Sequence, residues 1–117
     1  MTYLIACLST GKGSWSEVIK LINSEKWDHI FLITNNFGKE NFKHENADLI
    51  VINESKPIKD ISDVIYKKLQ NQIGFNDIAV NFISGTGKEH MALLSALIKL
   101  GIGIRFVVSE NKSLIEL

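Results

Sequence analysis

Arginine is nearly missing from this chain: its thirteen basic residues are twelve Lys and the single Arg105. Chemistry that needs a cluster of bidentate guanidinium forks is therefore excluded. Thirteen acidic residues balance the basic ones, so no polybasic stripe supplies counterion release, and long nucleic acid is not an expected partner. The single cysteine, Cys7, has no internal disulfide partner. The start, MTYLIACLSTGKG, has no basic region and only a short apolar run, so a cytoplasmic location is expected. No apolar stretch reaches the roughly 18 residues of a membrane span, because Asn and Lys interrupt IAVNFI and MALLSALIKL, and no membrane is expected as a partner. Repeats, low-complexity tracts and linkers are absent too.

What remains is the profile of one globular domain over residues 1–117, with 45% hydrophobic residues, one Pro and eight Gly. A chain of this mass folds to about 6,400 Å² of surface from about 19,000 Å² unfolded, enough to bury a core without staples.

The order of elements follows from apolar pattern and punctuation. Tyr3 to Leu8 is a continuous apolar run ending in Ser9-Thr10-Gly11-Lys12-Gly13, which reads as a buried strand entering a glycine loop. Ser14-Trp15-Ser16-Glu17 has the S-x-x-E form of a capping box, and Trp15, Val18, Ile19 and Ile22 continue at helical spacing to about Asn23. His29–Thr34 and Ala47–Ile52 are the second and third strands, and the polar segment 35–46 between them has no clear pattern. Pro57 suits the first turn of a helix whose stripe Ile61, Val64, Ile65, Leu69 and Ile73 closes at Gly74. Ile78 to Ile83 forms strand four, running into Ser84-Gly85-Thr86-Gly87-Lys88 and a helix from Glu89 to Leu100. That helix is apolar nearly all round, which predicts packing on the sheet and on a second chain. Gly103–Val108 is strand five, and Ser113–Leu117 returns as an antiparallel edge strand after the turn Glu110-Asn111-Lys112. The expected fold is α/β, a three-layer sandwich around a mostly parallel sheet of five to six strands with an antiparallel edge hairpin. Ligands of such sheets bind outside the carboxyl ends of the strands, where strand order reverses.

Both strand–glycine loop–helix units combine hydroxyls, a lysine and a helix N-terminus, at 9–14 and at 84–88. Glycine lets backbone N–H groups approach an anion, and the helix dipole favours negative charge there. The same residues also make ordinary tight turns and caps, so each loop reads either as a phosphate cradle or as a turn. Specific motifs fail. A P-loop needs Gly at 82 and Ser or Thr at 89, where the chain has Phe82 and Glu89. A dinucleotide fingerprint on Gly11, Gly13 and Ser16 lacks its third glycine, and Asn35-Asn36 stand where a ribose-binding acid is expected. Cys7, inside an apolar run with no arginine before Arg105, reads as core, and no phospho-acceptor aspartate ends strand one or three. His29, His44 and His90 have no metal-ligand spacing, so neither a metal nor another cofactor is expected. His90 reads as a solvated first-turn residue more readily than as one facing a ligand, Trp15 and Trp27 as packing, and Arg105 either reaches the loops or pairs with a carboxylate.

The run from Asn81 to Leu93, with Ser84-Gly85-Thr86-Gly87-Lys88 at its centre, resembles the second motif of CRISPR-associated Rossmann-fold (CARF) domains, and Leu8-Ser9-Thr10-Gly11 resembles their first. The likeness extends over the chain in outline, closing hairpin included; Gly87 before Lys88 departs from the usual glycine, Thr, Lys run. The resemblance implies a Rossmann-like fold and a homodimer that binds a cyclic oligoadenylate across its two-fold axis. It carries Ser9 and Thr10, with Thr86 and Lys88, to contacts with ribose and phosphate, and to catalysis if the ring is cleaved without metal by its own 2′-OH. Gly11, Lys12, Asn35, Ser84, Gly85 and Gly87 complete the expected ligand contacts. Relatives carry an effector domain after the sensor, which is not found up to Leu117, leaving either a sensor for a separate partner or a ring nuclease. The alternative is a nucleotide-binding or scaffold dimer with no catalytic activity.

Overall fold

The apolar run at the start of the chain becomes the middle of the sheet. In the computed structural model, which describes residues 2–9, 12–44, 46–74 and 76–117 (of Lys12 and Gly13 the helical backbone only), the strands are β1 (Thr2–Leu8), β2 (His29–Thr34), β3 (Ala47–Val51), β4 (Asp77–Asn81), β5 (Ile104–Glu110) and β6 (Ser113–Glu116). Their spatial order is β3-β2-β1-β4-β5-β6. The first five are parallel, with Ala6 paired to Leu32 on one side and Asn81 on the other. β6 runs antiparallel to β5. The two-residue turn between them holds Asn111 and Lys112 at φ 51° and 64°, the left-handed pair that matches the twist of a tight hairpin.

Four helices cover the sheet among the described residues: α1 (Lys12–Ser24), α2 (Asn36–Asn41), α3 (Ile58–Leu69) and α4 (Gly87–Leu100). Strand side chains alternate between faces. Leu4, Ala6 and Leu8 pack with Val18 and Leu21 of α1 and with Trp27, whereas Ile5 and Cys7 pack with Ile61 and Ile65 of α3 and Leu93 and Leu97 of α4. With helices on both faces, β1 has nowhere to show a polar side chain, which is why its residues form an unbroken apolar run. Each fully buried Leu or Ile, such as Leu4, Ile5, Ile65 and Leu93, contributes roughly 1.5–3 kcal/mol of transfer free energy. The α/β sandwich, its mostly parallel sheet and its antiparallel edge are as the pattern predicts.

Several local expectations are corrected. α1 begins at Lys12, so Ser14 lies within its first turn and bonds to Ser84 instead of forming a capping box. The patternless segment holds α2, a helix too short to show a period; Asn35 caps it by accepting from the Gly38 N–H at 3.0 Å. α3 ends at Leu69, and Ile73, read as its last stripe position, is buried from the turn that follows. Gly74 there has φ 58°. α4 starts at Gly87 behind the N-cap Thr86 and stops at Gly101, whose φ of 69° supplies the left-handed cap.

Candidate functional site

The chain leaves β1 toward β2 and leaves β4 toward β5. The connections after these adjacent strands therefore diverge, and a crevice opens between them at the carboxyl edge of the sheet. Ser9 and Ser14, which flank the first glycine loop, and the second loop at 84–88 lie there. They are tied together by one hydrogen bond, Ser14 Oγ to Ser84 Oγ at 2.9 Å, across seventy residues of sequence. The Trp15 indole N–H adds a 2.6 Å bond to the Ser9 carbonyl, which fixes the end of β1 against α1.

On the other side of the crevice, β4 ends in a shaped turn. Asn81 is buried; its amide donates to the Val107 carbonyl at 2.8 Å and its oxygen accepts from the Ile83 N–H at 3.0 Å, so one side chain pins β4 to β5 and starts the loop. Gly85 follows at φ 99°, a value that only glycine takes easily. A Cβ on Gly85 would lie 2.9 Å from Cys7 Cβ, 2.9 Å from Glu89 Oε2 and 3.1 Å from His90 Nε2. Three polar or polarisable side chains thus converge beneath one turn.

His90 is not the solvated residue expected. Its ring stacks on Phe82 at 4.7 Å with a 4° interplanar angle, and its Nε2 bonds to the Ser84 carbonyl at 2.8 Å. Arg105 is resolved in favour of carboxylates: it grips Asp77 through Nε and Nη2 at 2.9–3.1 Å and reaches Glu116 at 3.1 Å. Asp77 begins β4, so this cluster sits at the opposite end of the strand from the loops. The Arg105 guanidinium bond holds the Asp77 carboxyl below the usual carboxylate range. Cys7 is buried as core, and burial, then the nearby Glu89 charge, pushes its thiol pKa up. Burial that disfavours the thiolate makes a thiol a poor nucleophile.

The structure brings most of the expected site residues to this edge. Ser9 and Ser84 are buried there, Thr86 caps α4 by accepting from the Glu89 N–H at 3.3 Å, and Gly87 faces open space where a Cβ would be. Lys88 Nζ donates to the Glu54 carbonyl at 2.8 Å. Asn35 stands at the end of β2 with both side-chain polar atoms engaged, the oxygen by Gly38 and the amide by Glu54 Oε2 at 2.8 Å. Thr10 and Gly11 lie outside the described residues, as does the side chain of Lys12. Beside Asn35 a cavity of about 490 Å³ opens between the ends of β2 and β3, lined by Asn36, Phe37, Asn53 and Glu54. Larger clefts, about 610 Å³ beside Lys43 and about 600 Å³ beside Lys112, hold no buried polar side chain in their linings.

No family model matches the chain, and no curated protein matches it. Among the described residues no group of three or more His, Cys, Asp or Glu is placed to hold a metal ion, and no helix is long and apolar enough to cross a membrane.

The residue that the sequence reading missed is Glu89. It is 2% exposed, and its Oε2 is sealed from solvent without a hydrogen-bond partner. A signal for its position was present: Thr86-x-x-Glu89 has the same S/T-x-x-E form as the segment at Ser14. The form marks the start of α4, but nothing in it says that the carboxylate turns inward.

Proposed function

We propose that this protein is a cytoplasmic homodimeric receptor for a cyclic oligoadenylate, held at the crevice between the two glycine loops. The observation that carries the reading is the Ser14–Ser84 bond, which joins the loops across the point where strand order reverses. Around that tie stand the N-terminus of α4, an ammonium at Lys88 and the open backbone at Gly87, the combination that attracts a phosphodiester. Lys88 spends one of its three donors on the Glu54 carbonyl, which leaves two for phosphate oxygens. The cavity beside Asn35 offers amide groups and the Phe37 ring to a base.

A dimer is supported by α4. Met91 and Ile98 on its outer face are 61% and 68% exposed, one stripe with the half-buried Leu94 between them and Ile83 nearby in sequence. Such a stripe on a helix is uncovered in the monomer and suits an isologous contact. Met91→Glu with Ile98→Glu converts the dimer to monomer in sedimentation; a wild type that is already monomeric refutes the dimer.

If the bound ring is cleaved, a ribose 2′-OH gives up its proton to solvent and attacks its neighbouring phosphorus in line, the bond to the 5′ oxygen breaks and that oxygen takes a proton from solvent, and a linear product with a 2′,3′-cyclic phosphate and a 5′-OH forms. Lys88 then stabilises charge on the phosphate. A second reading, a scaffold dimer whose loops are only turns, is favoured by the side chains of Ser84 and Asn35, which are bonded within the chain. Incubation with labelled cyclic tri-, tetra- and hexa-adenylate without metal separates the cases. Binding with linear product makes it a nuclease, binding alone a sensor, and no binding to any ring leaves the scaffold.

A further inference from the structure

β3 lies at one edge of the sheet and pairs only with β2. The Ile52 N–H donates to the Thr34 carbonyl at 2.8 Å, so main-chain alternation turns Asp48 and Ile50 toward β2 and turns Leu49 and Val51 outward. Among the described residues nothing bonds to those outward N–H and C=O groups. Neither proline nor lysine, residues that guard free edges, occurs in the strand ADLIV. Its one charged side chain, Asp48, is engaged with His29 of β2 at 2.7 Å.

Clefts flank this edge. One of about 610 Å³ lies beside Ala47 and Leu49 and is lined by Lys39, Phe42, Lys43 and His44. Another of about 300 Å³ lies at the end of the strand, where Ile52 packs with α3, and is lined by Ile52, Ile61 and Val64 together with Lys56 and Asp60. Ala47 and Leu49 pack on the opposite face of the sheet from Ile50 and Ile52, so the two clefts serve opposite faces. The first holds two lysines and no carboxylate, and among the described residues Lys39 and Lys43 make no ion pair.

A free edge offers main-chain hydrogen bonds to any extended chain, and the flanking clefts select its side chains, which alternate between the faces. Here one face suits negative charge and the other an aliphatic group. A second copy of β3 fits poorly: edge to edge about a two-fold axis, it would line one seam with the lysines of both chains.

We propose that the outer edge of β3 docks an extended segment of a partner protein as a further strand, with acidic residues facing Lys39 and Lys43 alternating with aliphatic residues facing Ile61 and Val64. Docking here does not depend on what the glycine loops bind.

The test uses a labelled peptide of alternating glutamate and valine and its lysine–valine counterpart. Each is titrated on wild type, on Lys39→Glu with Lys43→Glu, and on Leu49→Pro, which removes an outward N–H and leaves the bonds to β2 in place. Wild type is expected to bind the glutamate peptide at least tenfold more tightly than the lysine peptide, and less tightly as salt rises. Amide exchange at Leu49 and Val51 is expected to slow on binding. The charge-reversed protein is expected to invert the preference, and Leu49→Pro to weaken binding at least tenfold, with circular dichroism confirming its fold. If Leu49→Pro does not fold, amide exchange carries the main-chain comparison alone. Equal binding of the two peptides by wild type, or an unchanged preference after charge reversal, overturns the acidic partner. Binding without slowed exchange at Leu49 and Val51 overturns strand addition. Exchange there that slows with protein concentration alone gives the edge to a second copy and overturns the partner segment. No binding of either peptide overturns the docking site itself.

Discussion

Lys88 Nζ lies 2.8 Å from the main-chain oxygen of Glu54, thirty-four residues away, so the start of α4 is clasped to the turn after β3. The bond is exposed and joins a flexible side chain, so its own contribution to stability is small, up to about 1 kcal/mol. Its placement matters more, because it sets an ammonium over the sheet edge. Lys88→Ala is expected to leave the urea midpoint nearly unchanged and, on the proposed function, to weaken binding of a cyclic adenylate at least tenfold. Unchanged affinity would remove Lys88 from the site.

Gly85→Ala tests the turn over Glu89. The new methyl would meet Cys7 Cβ and Glu89 Oε2 at 2.9 Å, and φ 99° is strained for alanine. Overpacking costs roughly 1–3 kcal/mol and the backbone conformation roughly 1–3 more. A loss of at least 2 kcal/mol (about the low end of those sums) is expected in chemical denaturation. Gly87→Ala, where a Cβ meets nothing within 4 Å, is the control and should cost far less.

The Arg105–Asp77–Glu116 cluster predicts an acid-side effect. The Asp77 carboxyl is held below its usual range, first by the hydrogen bond from Arg105. A carboxylate lowered in the folded state stabilises above its unfolded value of about 3.9 and loses that contribution as pH falls through the folded value. Asp77→Asn is expected to flatten the acid limb of a plot of stability against pH, by no more than about 1 kcal/mol given its exposure. Equal acid limbs for the two proteins would show that the pair is silent.

Cys7 gives the alkaline counterpart. Its thiol is buried with its pKa raised, so the folded state keeps the proton while the unfolded chain loses it above about 8.5. Stability is complete below that value and falls as pH rises past it. A thiol reagent such as dithiobisnitrobenzoate should react with the native protein only at the rate of opening, and at once in denaturant. Immediate reaction of the native protein would contradict the burial of Cys7.

Much of the architecture was legible in local pattern. β1, β2 and β4 are short apolar runs bounded by turn residues, α3 shows its stripe, and the closing hairpin follows from Asn111-Lys112 between two apolar segments. α2 was hidden because six residues do not complete two helical turns, and its cap, Asn35, looks like any turn-forming asparagine. Ser14 misled for a related reason: a capping-box pattern also occurs inside a first turn, and the side chain chose a partner seventy residues away.

The sequence by itself determined the alternation of strands and helices, the two glycine loops and the core character of Cys7, because these follow from propensity and period along the chain. Only the tertiary structure decided that β1 lies beside β4, that Arg105 faces Asp77 rather than the loops, that His90 stacks on Phe82, and that Oε2 of Glu89 is buried without a hydrogen-bond partner. Those outcomes depend on which elements meet. A carboxylate in a first turn reads the same along the chain whether its neighbours are water or the buried end of a strand, and its chemistry differs entirely between the two.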